Sequence, residues 1–296
     1  MTTAAGIWAW HNQYNTLPLA KCVERAQRAK LEGVIVKYGL PEAEKAYAAA
    51  GIRWATERFA YADSPISEGN KLADAVDAGA CFAVINAEEG GGWGPATATG
   101  PAMERLIDTF RIRHSGAPLY ASIDTRGDRL SHPYQQVMLE RCNGIMPMIY
   151  PGAFRPSQPG GYIEEGIADC LWNKDFRHLP VFPTLQSYSW EYPKGSGQIH
   201  AMGPFGISRQ AELLKVYGGL IQGFQFYTIH HATDAEWEEV CKVVAACSAP
   251  PLTTATELEL RKAYMDLAGK LMAFQPDSLQ QVVNVAAAFL GTRPTL

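Results

Sequence analysis

The sequence predicts an α/β fold, a (β/α)8 TIM barrel with an appended C-terminal helical segment. Three observations carry that expectation: eight short apolar runs with strand character, amphipathic segments of helical period between them, and glycines that close several of those segments just before the next run. Parallel strands need crossover connections, and eight such units close into a barrel. The rival architecture, an open doubly wound sheet, would place a glycine-rich phosphate turn after the first strand, where this chain reads WHNQYN.

The first strand is expected at 6–10 (GIWAW), and LPLAKCVERAQRAKLEG then repeats apolar positions three or four apart, as a helix does. The second strand follows at 33–38 (GVIVKY) and the third at 52–61 (IRWATERFAY). SEGNKLADAVDAG leads to the fourth at 81–87 (CFAVINA), and ERLIDTFRI to the fifth at 118–124 (PLYASID). The sixth, seventh and eighth are expected at 144–150, 180–188 and 223–229, with ISRQAELLKVYGG before the last and DAEWEEVCKVVAA after it. Gly33, Gly51 and Gly219 fit a helix end that needs a left-handed residue. A Pro/Thr-rich connector at 248–257 then separates a barrel of residues 1–250 from two helical patterns within 251–296. With no strand of its own, that tail is expected to pack on the barrel, on a second copy in a homo-oligomer, or on an assembly partner.

Composition narrows the function. The formal charge of -4, with acids and bases interleaved, leaves no basic stripe for nucleic acid. Six cysteines without CxxC or CxxH spacing argue against a zinc site or a disulfide framework, so no metal and no cofactor is expected. MTTAAGIWAWHN lacks the basic start and long apolar region of a signal peptide, and no apolar run reaches the length of a membrane span. The default is a soluble cytoplasmic protein without a membrane partner.

In such a barrel the chemistry sits at the C-terminal ends of the strands. Those ends carry Trp8, Trp10, His11 and Asn12; Lys37 and Tyr38; Glu57 and Tyr61; Asn86, Glu88 and Glu89; Ser122, Asp124 and Arg126; Tyr150; Gln186 and Tyr188, with Trp190 and Glu191 beyond; and Gln225, Tyr227, His230 and His231. Sugar rings stack their apolar faces on aromatics and direct their hydroxyls to acids and amides, so the expected partner is a polysaccharide or other glycan. Cleaving it takes one carboxylic acid to protonate the leaving oxygen and one carboxylate to attack or to activate water. Period-two geometry puts Asn86 and Glu88 on one side of the fourth strand and Glu89 on the other, which makes Glu88 the first choice for the acid and Asp124 or Glu57 its partner. Asn86 and Gln225 would orient hydroxyls. Trp10, Tyr61, Trp93, Tyr150, Gln186, Tyr188 and Tyr227 would line the sugar sites. Each has a plain structural reading beside the functional one: Asp124 could simply pair with Arg126 or Arg129, Glu57 with Lys37 or Arg58, and GGG before Trp93 could be a mobile loop.

The runs AQRAKLEGVIVKYG, AAAGIRWATERFAYAD, DAVDAGACFAVINAEEGGGW, APLYASID and GIMPMIYP together resemble the glycoside-hydrolase-like TIM barrels of bacteria and phages, distantly similar to family 25 lysozymes. The resemblance implies action on peptidoglycan glycan strands, and a virion-associated location if the gene is a phage's. It also implies an Asp-x-Glu at the end of strand four, with the glutamate as proton donor. Here the glutamate position is Glu88 and the aspartate position is Asn86. An amide cannot act as a general base or carry negative charge, and relatives often have an aromatic where this chain has Glu57. Two expectations follow. Either Glu57 or Asp124 restores the missing carboxylate, or the barrel has lost catalysis and serves as a structural or carbohydrate-binding component, for example of a phage tail.

Overall fold

The computed structural model describes residues 4–12, 17–150, 166, 179–191, 199–200, 206–215 and 221–247. The expected C-terminal helices (251–296), Gly219 and Cys170 lie outside the described residues.

Eight parallel strands close into a barrel: β1 (Gly6–His11), β2 (Gly33–Lys37), β3 (Arg53–Phe59), β4 (Ala83–Asn86), β5 (Leu119–Ile123), β6 (Gly144–Ile149), β7 (Thr184–Gln186) and β10 (Gly223–Tyr227). They pair in sequence order, and β10 closes the ring against β1 with Trp8 opposite Gln225. Around them run α1 (Leu19–Ala29), α2 (Pro41–Ala49), α3 (Pro65–Asp77), α4 (Thr99–Arg113), α5 (Pro133–Arg141), α6 (Ile207–Lys215) and α7 (Asp234–Cys247). One short antiparallel pair, β8 (Trp190–Glu191) with β9 (Ile199–His200), was not foreseen.

Local chemistry explains where helices begin. α2, α3 and α5 each start with proline, which lacks the N–H that would be orphaned there anyway. α7 starts on a reciprocal cap: Thr233 Oγ1 accepts from the Glu236 N–H (3.2 Å), and the Thr233 N–H donates to Glu236 Oε2 (2.7 Å). Arg25 of α1 locks this corner, its guanidinium donating to the Ile229 and Ala232 carbonyls (2.8 and 2.7 Å) and pairing with Asp234.

Strand periodicity sorts the side chains into two cores. Ala9, Val34, Val36, Ile85, Ala121, Ile145 and Leu185 face the helices. Trp8, Trp10, Ile35, Ala55, Val84, Tyr120 and Met146 face inward with Phe82 and Phe182. Edge-on aromatic contacts run across the barrel floor from Trp8 to Phe82 (4.8 Å), on to Tyr120 (5.1 Å) and to Phe182 (5.3 Å). Gly33 makes room for this layer, because a Cβ there would strike the Trp8 ring and the Arg53 carbonyl. The expected helix-ending role of Gly33 is therefore corrected: it is the first residue of β2, and Lys30 takes the left-handed conformation that ends α1 (φ 53°). Gly51 does adopt positive φ, as expected (71°).

Candidate active site

The aromatic layer fills the barrel toward the N-terminal ends of its strands, and polar side chains gather toward their C-terminal ends. Glu57 is on the inner face of β3, opposite Lys37 of β2 in the register, and it is only 3% exposed. One strand over, Asn86 ends β4 and lies opposite Ser122 of β5, with Glu88 two residues further on. The Asn86 side chain acts on both carboxyl groups, favouring their charged forms. Its own Oδ1 is buried without a partner among the described residues.

Burial pushes the Glu57 carboxyl up to about 7, and the nearby Glu88 charge adds to that; Asn86, Lys37 and Arg58 act the other way. Arg58 has its own carboxylate, holding buried Glu68 on the helix side together with Lys71. Burial also raises Glu88, and Asp124 reinforces it, while Asn86 and Arg126 oppose. Glu57 thus resists ionising while Glu88 is charged, and Glu88 while Asp124 is.

Asp124 belongs to a different arrangement. Its Oδ1 accepts from the Arg126 Nε and backbone N–H (2.8 and 3.0 Å), and its Oδ2 meets Arg126 Nη2 at 2.6 Å and Arg129 Nε at 3.2 Å. The ion-pair reading of Asp124 describes this geometry, and two guanidiniums leave its charge committed. Arg129 also reaches toward Glu89 (3.6 Å), which points to solvent as its parity predicts.

An aromatic wall stands across the mouth. Tyr227 contacts Tyr150 (5.2 Å), Trp10 (5.8 Å) and Tyr188 (6.3 Å), and its hydroxyl accepts from Asn12 Nδ2 at 2.7 Å. Thr184 Oγ1 donates to Gln225 Oε1 (2.9 Å), and Gln186 Nε2 donates to the Tyr188 carbonyl (2.7 Å). Thr184 escaped notice in the sequence, where PTLQS offers nothing to mark it. Trp10 Nε1, Gln225 Nε2, Ser122 Oγ and Asn86 Oδ1 are all buried with no partner among the described residues. Such groups are nearly always satisfied, so two donors, one acceptor and one hydroxyl facing inward call for a polar ligand or water.

Two expected lining residues stand apart. Trp93 is 1% exposed in the helix-side core, its indole donating to the Ala60 carbonyl (2.9 Å) and its ring against Tyr134 (5.6 Å). It anchors the loop from outside the mouth, a correction to its expected place. GGG is correspondingly ordered: Glu89–Gly91 form a 3-10 turn, and a Cβ on Gly91 would strike the Ala60 carbonyl. Tyr61 is exposed, edge-on to Phe59 and beneath the Arg58 guanidinium, where it is a rim platform. His11 points outward, its Nδ1 2.9 Å from the Tyr47 hydroxyl, and lines a separate cavity of about 550 Å³ with Leu17, Leu19, Leu40 and Pro41. His230 and His231 contact each other (4.3 Å), and among the described residues no group of three or more His, Cys, Asp or Glu could hold a metal ion. No helix among them is long and apolar enough to cross a membrane.

No protein-family model and no curated protein sequence matches the chain. Solved structures do. A GH2 β-galacturonidase from Eisenbergiella tayi superposes with a TM-score of 0.58 at 8% identity, over 82% of this chain and 51% of that one, so this chain spans about half its length. The PgaB glycoside hydrolase domain from Bordetella bronchiseptica gives 0.55 at 11% identity, over 84% of this chain and 100% of that one. A GH128 endo-β-1,3-glucanase from Amycolatopsis mediterranei gives 0.50 at 12%, over 81% and 99%. At such identities the likeness is one of fold, and this chain has the barrel fold of these glycoside hydrolases.

Proposed function

We propose that the protein cleaves a glycosidic bond in a polysaccharide at the C-terminal mouth of the barrel, using Glu57 and Glu88. The observation that carries this reading is the pair of acids held above the usual carboxylate range by burial, Glu57 on β3 and Glu88 just beyond β4, near the Tyr150, Tyr188 and Tyr227 rings and buried polar side chains. A carboxyl raised to about 7 with a second carboxyl near it has the composition glycosidic cleavage requires. Glu57, whose buried carboxyl is raised to about 7, carries the proton for the leaving oxygen, and Glu88, half-buried beyond β4, supplies the second carboxylate that Asn86 cannot. Asp124, held by two arginines, positions Arg126 beside Glu88 and takes no proton in the reaction. Trp10, Tyr150, Tyr188 and Tyr227 offer ring faces, and Asn86, Gln186 and Gln225 offer hydroxyl partners.

The test is release of reducing ends from a panel of neutral, acidic and amino-sugar glycans. Peptidoglycan comes first because of the strand-four resemblance. Glu88→Gln and Glu57→Gln should each lower the rate by 100-fold or more, on the order expected for losing an acid–base catalyst. Full activity in both variants would overturn the assignment. The amide at position 86 and the clamped Asp124 favour a second reading, a barrel that binds glycan without cleaving it. Saturable binding of a glycan that the wild-type protein leaves intact would establish that reading instead. A place in a larger assembly through residues 251–296 is tested by light scattering with and without them.

A further inference from the structure

The cavity at His11 opens between the start of α1 and the start of α2, where Leu17, Leu19, Leu40, Pro41 and Ala43 give it apolar walls. The three leucines are half-buried, and a volume of about 550 Å³ is in the range of small-molecule sites. His11 ends β1, and strand parity turns it outward while Trp10 faces the barrel interior. It is 4% exposed, and its ring contacts His230 (5.5 Å) and Tyr47 of α2 (5.6 Å).

The His11 ring decides which polar group the cavity meets. Nδ1 is 2.9 Å from the Tyr47 hydroxyl, and among the described residues neither side chain has another hydrogen-bond partner. Tyr47 is fully buried, so its hydroxyl hydrogen would go unpaired unless it points at Nδ1. The hydroxyl therefore donates, and Nδ1 is the bare nitrogen. Burial keeps the ring neutral at pH 7 by pushing it down to about 4. A neutral imidazole with a bare Nδ1 carries its proton on Nε2. Nε2 makes no hydrogen bond among the described residues, which leaves one N–H donor for the cavity that His11 lines.

We propose that this cavity is a second binding site, for an uncharged and largely apolar molecule with one carbonyl oxygen, which accepts the hydrogen bond from His11 Nε2. The leucine and proline walls take its apolar body. The lining disfavours charge: Glu42 is its one ionised member among the described residues, exposed and paired with Lys45 (3.5 Å). The starts of α1 and α2 favour an anion slightly, but a buried carboxylate with no cation beside it loses more in desolvation than exposed helix ends return. A cation would meet a donor at Nε2. The site is independent of any glycan chemistry at the mouth.

The test is NMR on the whole protein at pH 7, labelled with 13C in the leucine methyls and 15N in histidine, with resonances assigned through bonds. The imidazole 15N shifts should place the His11 proton on Nε2. The probe 2-heptanone should shift the Leu17, Leu19 and Leu40 methyls saturably, with a dissociation constant on the order of 1 mM, and should move the Nε2 resonance. Heptanoate, of the same chain length, should bind at least about tenfold more weakly. His11→Phe keeps a ring and removes the donor, so ketone affinity should fall about fivefold. Leu40→Trp, which fills the cavity, should abolish the methyl shifts. The proposal is wrong if the proton lies on Nδ1, if 2-heptanone leaves the three leucines unmoved, or if heptanoate binds as tightly as the ketone. All three are read on the wild-type protein, so a variant that fails to fold does not spoil the test. Unchanged ketone affinity in a folded His11→Phe protein would overturn the assignment equally.

Discussion

Replacing Glu57 with glutamine should make the protein more stable at alkaline pH, because the native fold holds this carboxyl more readily protonated than the unfolded chain does. Burial raises it from an ordinary 4.5 to about 7. Between those values the folded state binds the extra proton, so the Glu57 contribution is fully present at low pH and is lost as pH rises through 7. A difference of about 2.5 units at 1.36 kcal/mol each is about 3 kcal/mol in total, of which about 2–3 kcal/mol falls between pH 5 and pH 8. His11 and His230 work in the opposite direction. Burial pushes them down to about 4 and about 3, so they are neutral in the fold and withdraw stability as the pH falls below 6.5. Both histidines are present in both proteins, and neither owes its shift to Glu57, so their contribution cancels in the difference. The assay is therefore urea unfolding of wild-type and Glu57→Gln protein at pH 5 and pH 8, followed by tryptophan fluorescence. The variant should gain about 2–3 kcal/mol on the wild type over that interval. An identical pH dependence in the two proteins would show that Glu57 ionises at its ordinary value, and the proton-holding role of the pair would fall with it.

Trp93→Ala should cost about 3–5 kcal/mol, as emptying an aromatic site in a core does, and should lower the thermal midpoint without abolishing glycan binding. A large loss of binding with unchanged stability would return Trp93 to the mouth. Arg25→Met should cost about 2–3 kcal/mol by leaving the Ile229 and Ala232 carbonyls without donors, measured by the same urea titration. Gly33→Ala should destabilise by at least about 1–3 kcal/mol through overpacking against the Trp8 ring, and a stable protein with unperturbed near-ultraviolet dichroism would contradict that packing. Asp124→Asn should weaken the Arg126 clamp and lower the glycan-cleaving rate by less than either glutamate variant, and a larger loss would make Asp124 a catalytic carboxylate.

The barrel was legible because its signals are local and repeated. A strand of VIVK or AVIN type declares itself by apolar content, and a helix by spacing, so eight alternations imply closure before any contact is known. Boundaries drifted where the chain keeps strand-like residues beyond the ladder: strand seven, expected at 180–188, pairs as Thr184–Gln186 with an isolated bridge at Val181. The exposure of Glu89 also followed from residue parity alone.

What the amino-acid order determined by itself, then, was the alternation, the parity along each strand, and the set of acids and aromatics delivered to one end. What only the tertiary structure decided was which of those side chains meet. Asp124 and Glu57 are equally acidic on the page, yet one lies between two arginines and the other is buried on the inner face of β3, which raises its carboxyl to about 7. Trp93 and Tyr61 are both aromatics near strand ends, yet one packs beneath Ala60 and the other stands in solvent. The reason is physical: period and propensity act over a few residues, whereas burial and charge pairing depend on neighbours that chain closure brings from distant positions.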